Sequence, residues 1–337
     1  MKAALLLLAC LSASAADWFP VPVIADGKPA TYRAQASAAK PWRLCALLPN
    51  GSDKFWWGVS WGLSEEAKRL HIQLGIYSAG DYANLNTQRA QLTSCLQQHA
   101  DAILLAAVSP SALDDLVTQA LGQQVAVIDL LNQRTGTPAT VSVISDTAPL
   151  GRAAAQYALA HAPHKAPTVA WFPGPRGMIW AERASIGLHD GLAKSGARII
   201  DGGYGDVGIS QQMTLVRKLL ADNQPDIIIG NSVAAEAAGR MVGAGRYAHA
   251  KVIAYYPSEP VVDMVRDGTV QAVVANLQVI QSRIAVDVAV KHLEGIAHPR
   301  DIQLPPEIID RHNVGRFDRV KLFGPPGIWM VQQPLPN

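Results

Sequence analysis

The sequence has little net charge and none of the patterns that mark a nucleic-acid-binding or metal-binding protein. Its 29 lysines and arginines nearly balance 27 aspartates and glutamates over 337 residues, which gives a formal net charge of +2. No run of basic residues could form a positive stripe, so we expect no nucleic-acid partner. The nine histidines are scattered with no pair at metal-ligand spacing, and we expect neither a metal site nor a cofactor. The hydrophobic share of 49% is that of a globular protein, and the length favours two domains.

Apolar runs long enough to cross a bilayer are also missing. Lys2 is followed by the apolar residues 3–11 and the small residues 12–16, which is the pattern of a cleaved signal peptide. We expect residues 1–16 to be removed, leaving a mature chain that starts around Asp17 in a bacterial periplasm and does not insert into the membrane. An alternative is a lipoprotein box ending at Cys10, which the short stretch before that cysteine disfavours.

Cysteine is scarce, because only Cys45 and Cys95 follow the signal peptide. Cys45 lies at the start of a predicted strand and Cys95 near the end of a predicted helix. A crossover helix runs antiparallel to its strands, so both thiols are expected at the end of the sheet away from a ligand. An oxidising compartment allows them to pair. We expect a structural disulfide, and the alternative is a redox-active pair.

Apolar runs and helical patterns alternate along most of the chain. The runs are rich in Val, Ile, Leu and Ala, as expected for parallel strands buried on both faces. They lie at residues 44–48, 73–78, 102–106, 125–129, 168–172, 198–204, 227–229, 251–255 and 270–275. Helical patterns lie between them, at residues 55–69, 85–98, 111–121, 148–161, 180–195, 209–222, 234–243, 259–267 and 281–294. This alternation predicts an α/β protein with doubly wound parallel sheets.

The strand–helix rhythm occurs twice, from residue 43 to about 144 and from about 148 to 255, before the chain returns. Two similar α/β lobes with a late return resemble the type I periplasmic binding protein fold, in which three crossovers form a hinge. We place the crossovers at residues 144–147, 255–258 and 276–281. The expected parts are the signal peptide at 1–16, an N-terminal surface strap at 17–42, lobe 1 at 43–145 plus 257–278, lobe 2 at 146–256 plus 279–318, and a C-terminal tail at 319–337.

Distinctive short segments occur along the whole mature chain. The first two are W-R-L-C-A-L-L-P at residues 42–49 and D-K-F-W-W at residues 53–57. Others are Y-S-A-G-D-Y at 77–82, A-D-A-I-L-L at 100–105, W-F-P-G-P at 171–175, I-I-I-G-N-S-V-A-A-E-A-A at 227–238, V-I-A-Y-Y-P-S at 252–258 and P-P-E-I-I-D at 305–310. Together with the two cysteine positions, these segments resemble the TorT family, periplasmic proteins that sense trimethylamine N-oxide.

The resemblance implies a non-enzymatic receptor. Its lobes are expected to close around trimethylamine N-oxide or a related small methylated amine. The closed shape would alter contact with a membrane-bound sensor histidine kinase of a two-component system. A ligand can shift such an equilibrium only by preferring one state, so closure must supply the differential contact.

The resemblance also implies an aromatic box between the lobes. Methylated ammonium groups are held by aromatic faces, and an oxide needs a hydrogen-bond donor such as a tyrosine hydroxyl. Trp56 matches a ligand-stacking tryptophan of the family, and Tyr256 matches a tyrosine at the second hinge crossover. Tyr82 matches the family's A-G-x-Y and is expected as a third wall, and Phe55 remains a candidate. Trp57 and Trp61 are four residues apart and are expected to pack on one helix face.

One segment departs from the family. Where the family has a Pro-Trp-aromatic stretch near the first crossover, this chain has V-I-S-D at residues 143–146. Trp180, at the start of a lobe 2 helix, could replace the missing aromatic, and so could Trp171. Alternatively, the pocket serves a different ligand, and Asp146 could neutralise a true cation.

Two other functions fit parts of the sequence. G-N-S-V-A at residues 230–234 follows an apolar strand and resembles a nucleophile elbow around Ser232, although its last residue is Ala where Gly is usual. The same segment is the ordinary strand-to-helix turn of a binding protein, so we expect no enzyme. The second alternative is the substrate-binding component of an ABC-type uptake system for a small amine or sugar. Ser232 in place of the usual sugar-binding Asp disfavours a sugar.

Overall fold

The computed structural model describes residues 18–336, so the predicted signal peptide, the alternative anchor at Cys10 and the expected start at Asp17 lie outside the described residues. The strands are β1 Val21–Ala25, β2 Lys28–Tyr32, β3 Arg43–Leu48, β4 Gln73–Ser78, β5 Ala102–Leu105, β6 Ala126–Leu131, β7 Val141–Ile144, β8 Thr168–Phe172, β9 Arg198–Asp201, β10 Ile227–Gly230, β11 Lys251–Ala254, β12 Ala272–Ala275, β13 Asp301–Gln303 and β14 Glu307–Asp310. The α-helices are α1 Lys54–Leu70, α2 Leu85–Gln97, α3 Asp114–Gly122, α4 Thr147–Ala160, α5 Ile179–Leu192, α6 Ile209–Asp222, α7 Ser232–Gly243, α8 Glu259–Asp267, α9 Gln278–Leu293 and α10 Arg319–Phe323.

Every predicted strand and helix is present, with ends that differ by at most three residues. The central strands are apolar because helices cover both faces of each sheet: residues 44–48 of β3, for example, are all fully buried. Strands β1, β2, β7, β13 and β14 were not predicted. They are short or contain polar residues, and they lie at or near sheet edges and crossovers.

The first sheet has eight strands in the order β2-β1-β13-β7-β6-β5-β3-β4. The strands from β13 to β4 run parallel. β1 pairs antiparallel with both β2 and β13, so these strands form a hairpin on the sheet edge. Residues 17–42 are therefore more than the expected surface strap, because residues 21–32 extend the sheet. This sheet and its helices form lobe 1.

The second sheet has six strands in the order β14-β12-β11-β10-β8-β9, of which only β14 is antiparallel to its neighbour. Helices α4 to α8 lie with this sheet and form lobe 2. The two-lobed α/β architecture predicted from the sequence is therefore confirmed. Because parallel strands in each lobe end at the same edge, the loops after them meet where the lobes face each other.

Before the C-terminal tail, three hinge crossovers join the lobes, and two are where the sequence placed them. The chain passes to lobe 2 after β7 and returns to lobe 1 between β12 and α9, which packs against α1. The expected crossover at residues 255–258 is wrong, and so is the assignment of residues 257–278 to lobe 1. Helix α8 buries its apolar face in lobe 2, and β12 pairs with β11 as the neighbouring parallel strand, which is the usual outcome for consecutive strands.

The third crossover is the segment of residues 304–306, which links β13 in the first sheet to β14 in the second. The assignment of residues 279–318 to lobe 2 therefore holds only for the part that begins at β14. After α10 the tail returns to lobe 1, where Gln333 pairs with Ile76 beside the first sheet.

Cys45 and Cys95 form the predicted disulfide. Both residues are fully buried among the apolar side chains that α2 and α3 pack against the first sheet. Cys45 is the third residue of β3, near the end opposite the inter-lobe edge. Within residues 18–336, no helix is both long and apolar enough to span a membrane.

Candidate functional site

A small cavity lies between the lobes, at the carboxyl ends of the strands. Its volume is about 50 Å³. One water needs about 10–15 Å³ by the same measure, so the cavity suits a ligand of only a few non-hydrogen atoms. Both lobes and two of the crossovers contribute to its lining, which comprises Asp53, Phe55, Trp56, Tyr82, Leu131, Asn132, Ser145, Thr147, Trp180, Val207, Tyr256 and Asn276.

Aromatic rings from both lobes stand edge to face around the cavity. Phe55 and Trp56 begin α1 in lobe 1, with ring centroids 5.4 Å apart and planes at 81°. The Tyr256 ring, which follows β11 in lobe 2, lies 5.5 Å from Phe55 at 77°. Trp180 lies 6.0 Å from Tyr256 at 89° and 6.3 Å from Tyr82. The five aromatic residues that the sequence nominated for the site therefore line one cavity.

Tyr82 also brings a hydroxyl to the cavity. The Asn132 side-chain amide donates a hydrogen bond of 3.5 Å to the Tyr82 oxygen, and within residues 18–336 no group accepts the Tyr82 proton in return. Burial raises the pKa of Tyr82, so the hydroxyl keeps its proton. Asn132 is held in place because the same amide donates to the carbonyl of Ala107 at 2.9 Å. The hydroxyl can therefore donate to an oxygen on a ligand.

The carboxylate of Asp53 is the negatively charged group of the cavity lining. Asp53 caps α1, where one carboxylate oxygen accepts from the backbone N–H of Phe55 at 2.9 Å. The other accepts from the Tyr256 hydroxyl at 3.1 Å, and this hydrogen bond joins the two lobes. Asp53 is 3% exposed, and no basic side chain within residues 18–336 forms an ion pair with it. A buried carboxylate without a basic partner favours a cationic ligand.

The burial of Asp53 has an electrostatic consequence. Loss of hydration raises the pKa of this carboxyl to about 6, against the stabilising hydrogen bonds from Phe55 and Tyr256. The nearby carboxylates of Glu236 and Asp206 raise the pKa further. The group is therefore largely ionised at neutral pH, yet close enough to titration that a bound cation would change its protonation.

Asp53 and Asn276 are cavity residues that the sequence analysis did not nominate. Asp53 is the first residue of the D-K-F-W-W segment, but an Asp before a helix is most simply explained as a cap. Asn276 follows a short apolar strand, and a single Asn at that place has no distinguishing pattern. The signal that could have found both is their position in the segments that follow strands β3 and β12 at the ligand edge.

Asp146, in contrast, does not line the cavity. Its carboxylate caps α4 by accepting from the backbone N–H of Ala148 at 3.0 Å. Both of its oxygens also accept from the Arg183 guanidinium at 2.6 Å, and this pairing holds the pKa of Asp146 below its usual range against the effect of burial. Asp146 is therefore already neutralised by Arg183, and Asp53 is the carboxylate that lines the cavity.

The other tryptophans pack away from the cavity lining. Trp57 packs against the exposed Trp329, with ring centroids 5.2 Å apart and planes tilted by 33°, and its indole donates to the carbonyl of Gly51 at 2.8 Å. Trp61 lies against the guanidinium of Arg283. Trp171 is buried and donates to the Ser185 hydroxyl at 3.0 Å. Trp180 is therefore the tryptophan of lobe 2 that lines the cavity.

The segment around Ser232 does not have the surroundings of a nucleophile. Ser232 is fully buried at the start of α7, and its hydroxyl bonds the Ser258 hydroxyl at 2.5 Å. Within residues 18–336, no histidine hydrogen-bonds to it, which a catalytic serine would need as a base. Asn231, one residue earlier, caps α7 by accepting from the backbone N–H of Ala234, so the turn is explained by the fold alone.

Comparison with known proteins identifies related sequences and structures. The family described as a periplasmic binding protein domain matches residues 45–297. The periplasmic protein TorT of Escherichia coli strain K12 is 30% identical over 287 residues, which cover 83% of this chain and 82% of TorT. An ABC transporter solute-binding protein from Bradyrhizobium sp. BTAi1, crystallised with bis-tris, has a TM-score of 0.83 and 30% identity, covering 95% of this chain and all of that one.

A third relative is found in the crystal structure of the complex between the TorS sensor domain and TorT in the presence of trimethylamine N-oxide. The matched chain has a TM-score of 0.78 and 22% identity, and the match covers 87% of this chain and all of that one. At this level of identity, the similarity supports the shared fold.

Proposed function

The chain belongs to the periplasmic binding protein domain family and is TorT-like, and from this we propose that it is a periplasmic receptor for trimethylamine N-oxide or a related small methylated amine. The ligand binds in the inter-lobe cavity, and the closed lobes signal to a membrane-bound sensor histidine kinase. Neither step is enzymatic.

The observation that carries the proposal is a cavity that combines aromatic rings with one buried carboxylate. The rings of Trp56, Tyr256 and Trp180 offer faces and edges to a methylated nitrogen, and each such contact contributes about 0.5–2 kcal/mol. Asp53 supplies a negative charge that no basic side chain of the described residues neutralises. The Tyr82 hydroxyl can donate to an oxide. A small ligand with a cationic, methylated nitrogen satisfies these groups together.

The placement of these residues also supports signalling by closure. Phe55 and Trp56 belong to lobe 1, whereas Trp180 and Tyr256 belong to lobe 2. A ligand that touches both sets stabilises the state in which the lobes are close, and an equilibrium shifts only through such differential contact. The kinase is proposed as the partner because the chain is similar to TorT over most of its length.

The proposal is tested by isothermal titration calorimetry with trimethylamine N-oxide, trimethylamine and betaine. Trp56→Ala is compared with Trp61→Ala, which makes the same change on the same helix outside the cavity lining. We expect Trp56→Ala to weaken binding by about 2- to 30-fold and Trp61→Ala to leave it within about twofold. The absence of heat with all three ligands, or equal losses in the two variants, would contradict the proposal.

Uptake is a second candidate function, supported by the similarity to the Bradyrhizobium ABC transporter solute-binding protein that bound bis-tris, itself an amine. Two measurements separate the functions. The kinase function predicts ligand-dependent binding to the periplasmic domain of a sensor kinase. The uptake function predicts instead that the liganded protein stimulates ATP hydrolysis by a reconstituted ABC transporter.

A further inference from the structure

The side chain of Asn276 lines the cavity and leaves one polar atom without a partner. Asn276 follows β12 at the second crossover and is 5% exposed. Its Nδ2 donates to the Ser145 hydroxyl at 3.0 Å. Its Oδ1 is buried and has no hydrogen-bond partner within residues 18–336. Leaving a buried acceptor unpaired costs free energy, so a ligand that brings a donor to this atom binds with an advantage.

The direction of the Asn276 amide is fixed by a chain of hydrogen bonds that ends on the backbone. The Gln281 Nε2 donates to the carbonyl of Ile144 at 3.2 Å, and a carbonyl can only accept. The Gln281 Oε1 therefore faces Ser145 and accepts its hydroxyl proton at 3.0 Å. The Ser145 oxygen can then accept a hydrogen bond from Asn276, which must point its Nδ2 at Ser145 and not at the cavity. Rotating either amide would place two acceptors against each other.

Gln281 holds this arrangement without lining the cavity. It lies in the first turn of α9 and is 1% exposed. Ser145 belongs to the first crossover and Asn276 to the second, so the chain of hydrogen bonds ties the two crossovers together. Asn276 therefore lines the cavity with its amide held in one direction, and a simple rotation of the side chain cannot give its oxygen a partner.

Other polar atoms of the cavity lining indicate which further hydrogen-bonding groups a ligand should carry. Asp53 is a second acceptor and carries charge, so both acceptors favour a protonated nitrogen. On the donor side, the indole N–H of Trp180 is buried without a partner within residues 18–336, and the Tyr82 hydroxyl has no acceptor there. These two donors favour a ligand with an oxygen. A fully methylated nitrogen cannot supply a hydrogen-bond donor, and an amine oxide supplies only the acceptor.

We propose that, within the class of small methylated amines, this cavity selects protonated amines that keep an N–H and also carry an oxygen, as a methylated amino alcohol does. The inference rests on the proposed function, because it narrows the ligand of the same site. The N–H of the ligand donates to the Asn276 oxygen, the Asp53 carboxylate balances the ligand's charge, and the oxygen of the ligand accepts from Tyr82 or Trp180. Gln281 acts as a positioning residue that sets the direction of the Asn276 amide.

The test compares protonated N,N-dimethylethanolamine with choline at pH 7.5 by calorimetry. The two ions differ only in that a methyl group of choline replaces the N–H. The wild-type protein is expected to bind dimethylethanolamine about tenfold or more tightly than choline. Asn276→Leu removes the acceptor and keeps similar bulk, so we expect it to bring the ratio of the two dissociation constants close to one.

The Gln281→Leu variant separates a positioning role from a purely structural one, because only a positioning role changes the ratio of ligand affinities. This change releases Ser145 and lets the Asn276 amide turn its Nδ2 towards the cavity. We expect the ratio of dimethylethanolamine to choline affinity to fall and the affinity for trimethylamine N-oxide to rise. A variant that was only less well packed would weaken all three ligands by the same factor. The thermal unfolding of each variant shows that it is folded.

The outcomes separate this inference from the proposed function. Equal or tighter binding of choline by the wild-type protein would overturn the inference and leave the amine receptor intact, and so would an unchanged ratio in a folded Asn276→Leu. If Asn276→Leu does not fold, the inference is still tested by the ratio of dimethylethanolamine to choline affinity in the wild-type protein and in Gln281→Leu. If no methylated amine binds at all, the proposed function fails, and the inference fails with it.

Discussion

Asp53 makes two competing contributions at the scale of single residues. Its side chain caps α1 and joins the lobes through Tyr256, yet its burial raises the pKa of the carboxyl to about 6. Burial therefore makes the ionised carboxylate less stable in the ligand-free protein than it would be in water. A bound cation would offset this loss of stability. Buried groups that lower stability in this way are common at functional sites.

The pKa of Asp53 predicts how ligand affinity depends on pH. A cation binds the ionised carboxyl, so protons compete with it, and affinity rises as pH increases through about 6. For trimethylammonium, which stays protonated over this range, we expect about tenfold weaker binding at pH 5 than at pH 7. The groups that face this carboxyl are the Tyr256 hydroxyl and the carboxylates of Glu236 and Asp206. Calorimetry at the two pH values measures the effect.

The control for this pH dependence is Asp53→Asn, which keeps an N-cap acceptor and removes the titrating group. We expect the variant to bind trimethylammonium weakly and equally at pH 5 and pH 7. A wild-type affinity that does not change with pH, or a pH dependence that survives in Asp53→Asn, would show that another group controls the site.

Sequence reasoning found the aromatic residues of the cavity more readily than its polar ones. Tryptophans and tyrosines are rare, so Trp56, Tyr82 and Tyr256 stood out and could be matched to a family pattern. Asp53 and Asn276 have common structural explanations as a cap and as a loop residue. Their roles depend on burial and on which partners are absent, and neither property is visible before the lobes are placed together.

At the scale of elements, the close packing of α4 against α5 positions part of the site. Thr147 and Trp180 lie at the starts of these helices, and the Thr147 hydroxyl donates to the Trp180 carbonyl at 2.5 Å. Between the helices, a Cβ at Gly187 would lie 1.9 Å from the carbonyl oxygen of Ala148. Glycine is required there because backbone cannot move aside as a flexible side chain can.

We predict that Gly187→Ala destabilises the protein by about 1–3 kcal/mol through overpacking. It should also weaken amine binding, because the separation of the helices displaces Trp180. The neighbouring Ile186 is 53% exposed, so Ile186→Ala serves as the control and should change the free energy of unfolding by less than about 0.5 kcal/mol. Denaturant unfolding and calorimetry measure the two effects. Equal behaviour of the variants would show that the helix contact is not important.

The disulfide stabilises an element far from the ligand. It joins cysteines 50 residues apart in sequence, and closing such a loop contributes about 4 kcal/mol in the chain-entropy picture. We therefore predict that replacing Cys45 and Cys95 together by alanine lowers the free energy of unfolding by up to that amount and leaves the dissociation constant for the amine unchanged. A redox role would instead predict that reduction of the wild-type protein alters ligand binding.

For the whole molecule, the proposed closure on a ligand depends on how the two lobes are joined. Asp53 in lobe 1 and Tyr256 in lobe 2 already meet at the cavity, and the three crossovers are short. We predict that Tyr256→Phe, which removes the hydrogen bond between the lobes, increases the radius of gyration of the ligand-free protein measured by X-ray scattering. Adding a methylated amine should reduce the difference from the wild type. An unchanged radius in the variant would contradict this view of the hinge.

The alternation of apolar strands and amphipathic helices was enough to predict the two-lobed fold, but it did not decide which lobe each strand joins. Residues 257–278 were placed in lobe 1, whereas α8 and β12 continue the second sheet. The order of strands depends on pairing between segments, and an apolar run such as β12 could pair equally well in either sheet. The crossover at residues 304–306 follows a strand of only three residues, which carries too little pattern to be predicted.

The most direct test of the central claim is a crystal structure of the protein with its tightest-binding methylated amine. We predict that the ligand nitrogen lies between the lobes, within about 6 Å of the ring centroids of Trp56 and Tyr256 and next to the Asp53 carboxylate. A ligand bound at any other place, or a cavity that stays empty at saturating ligand, would contradict the account.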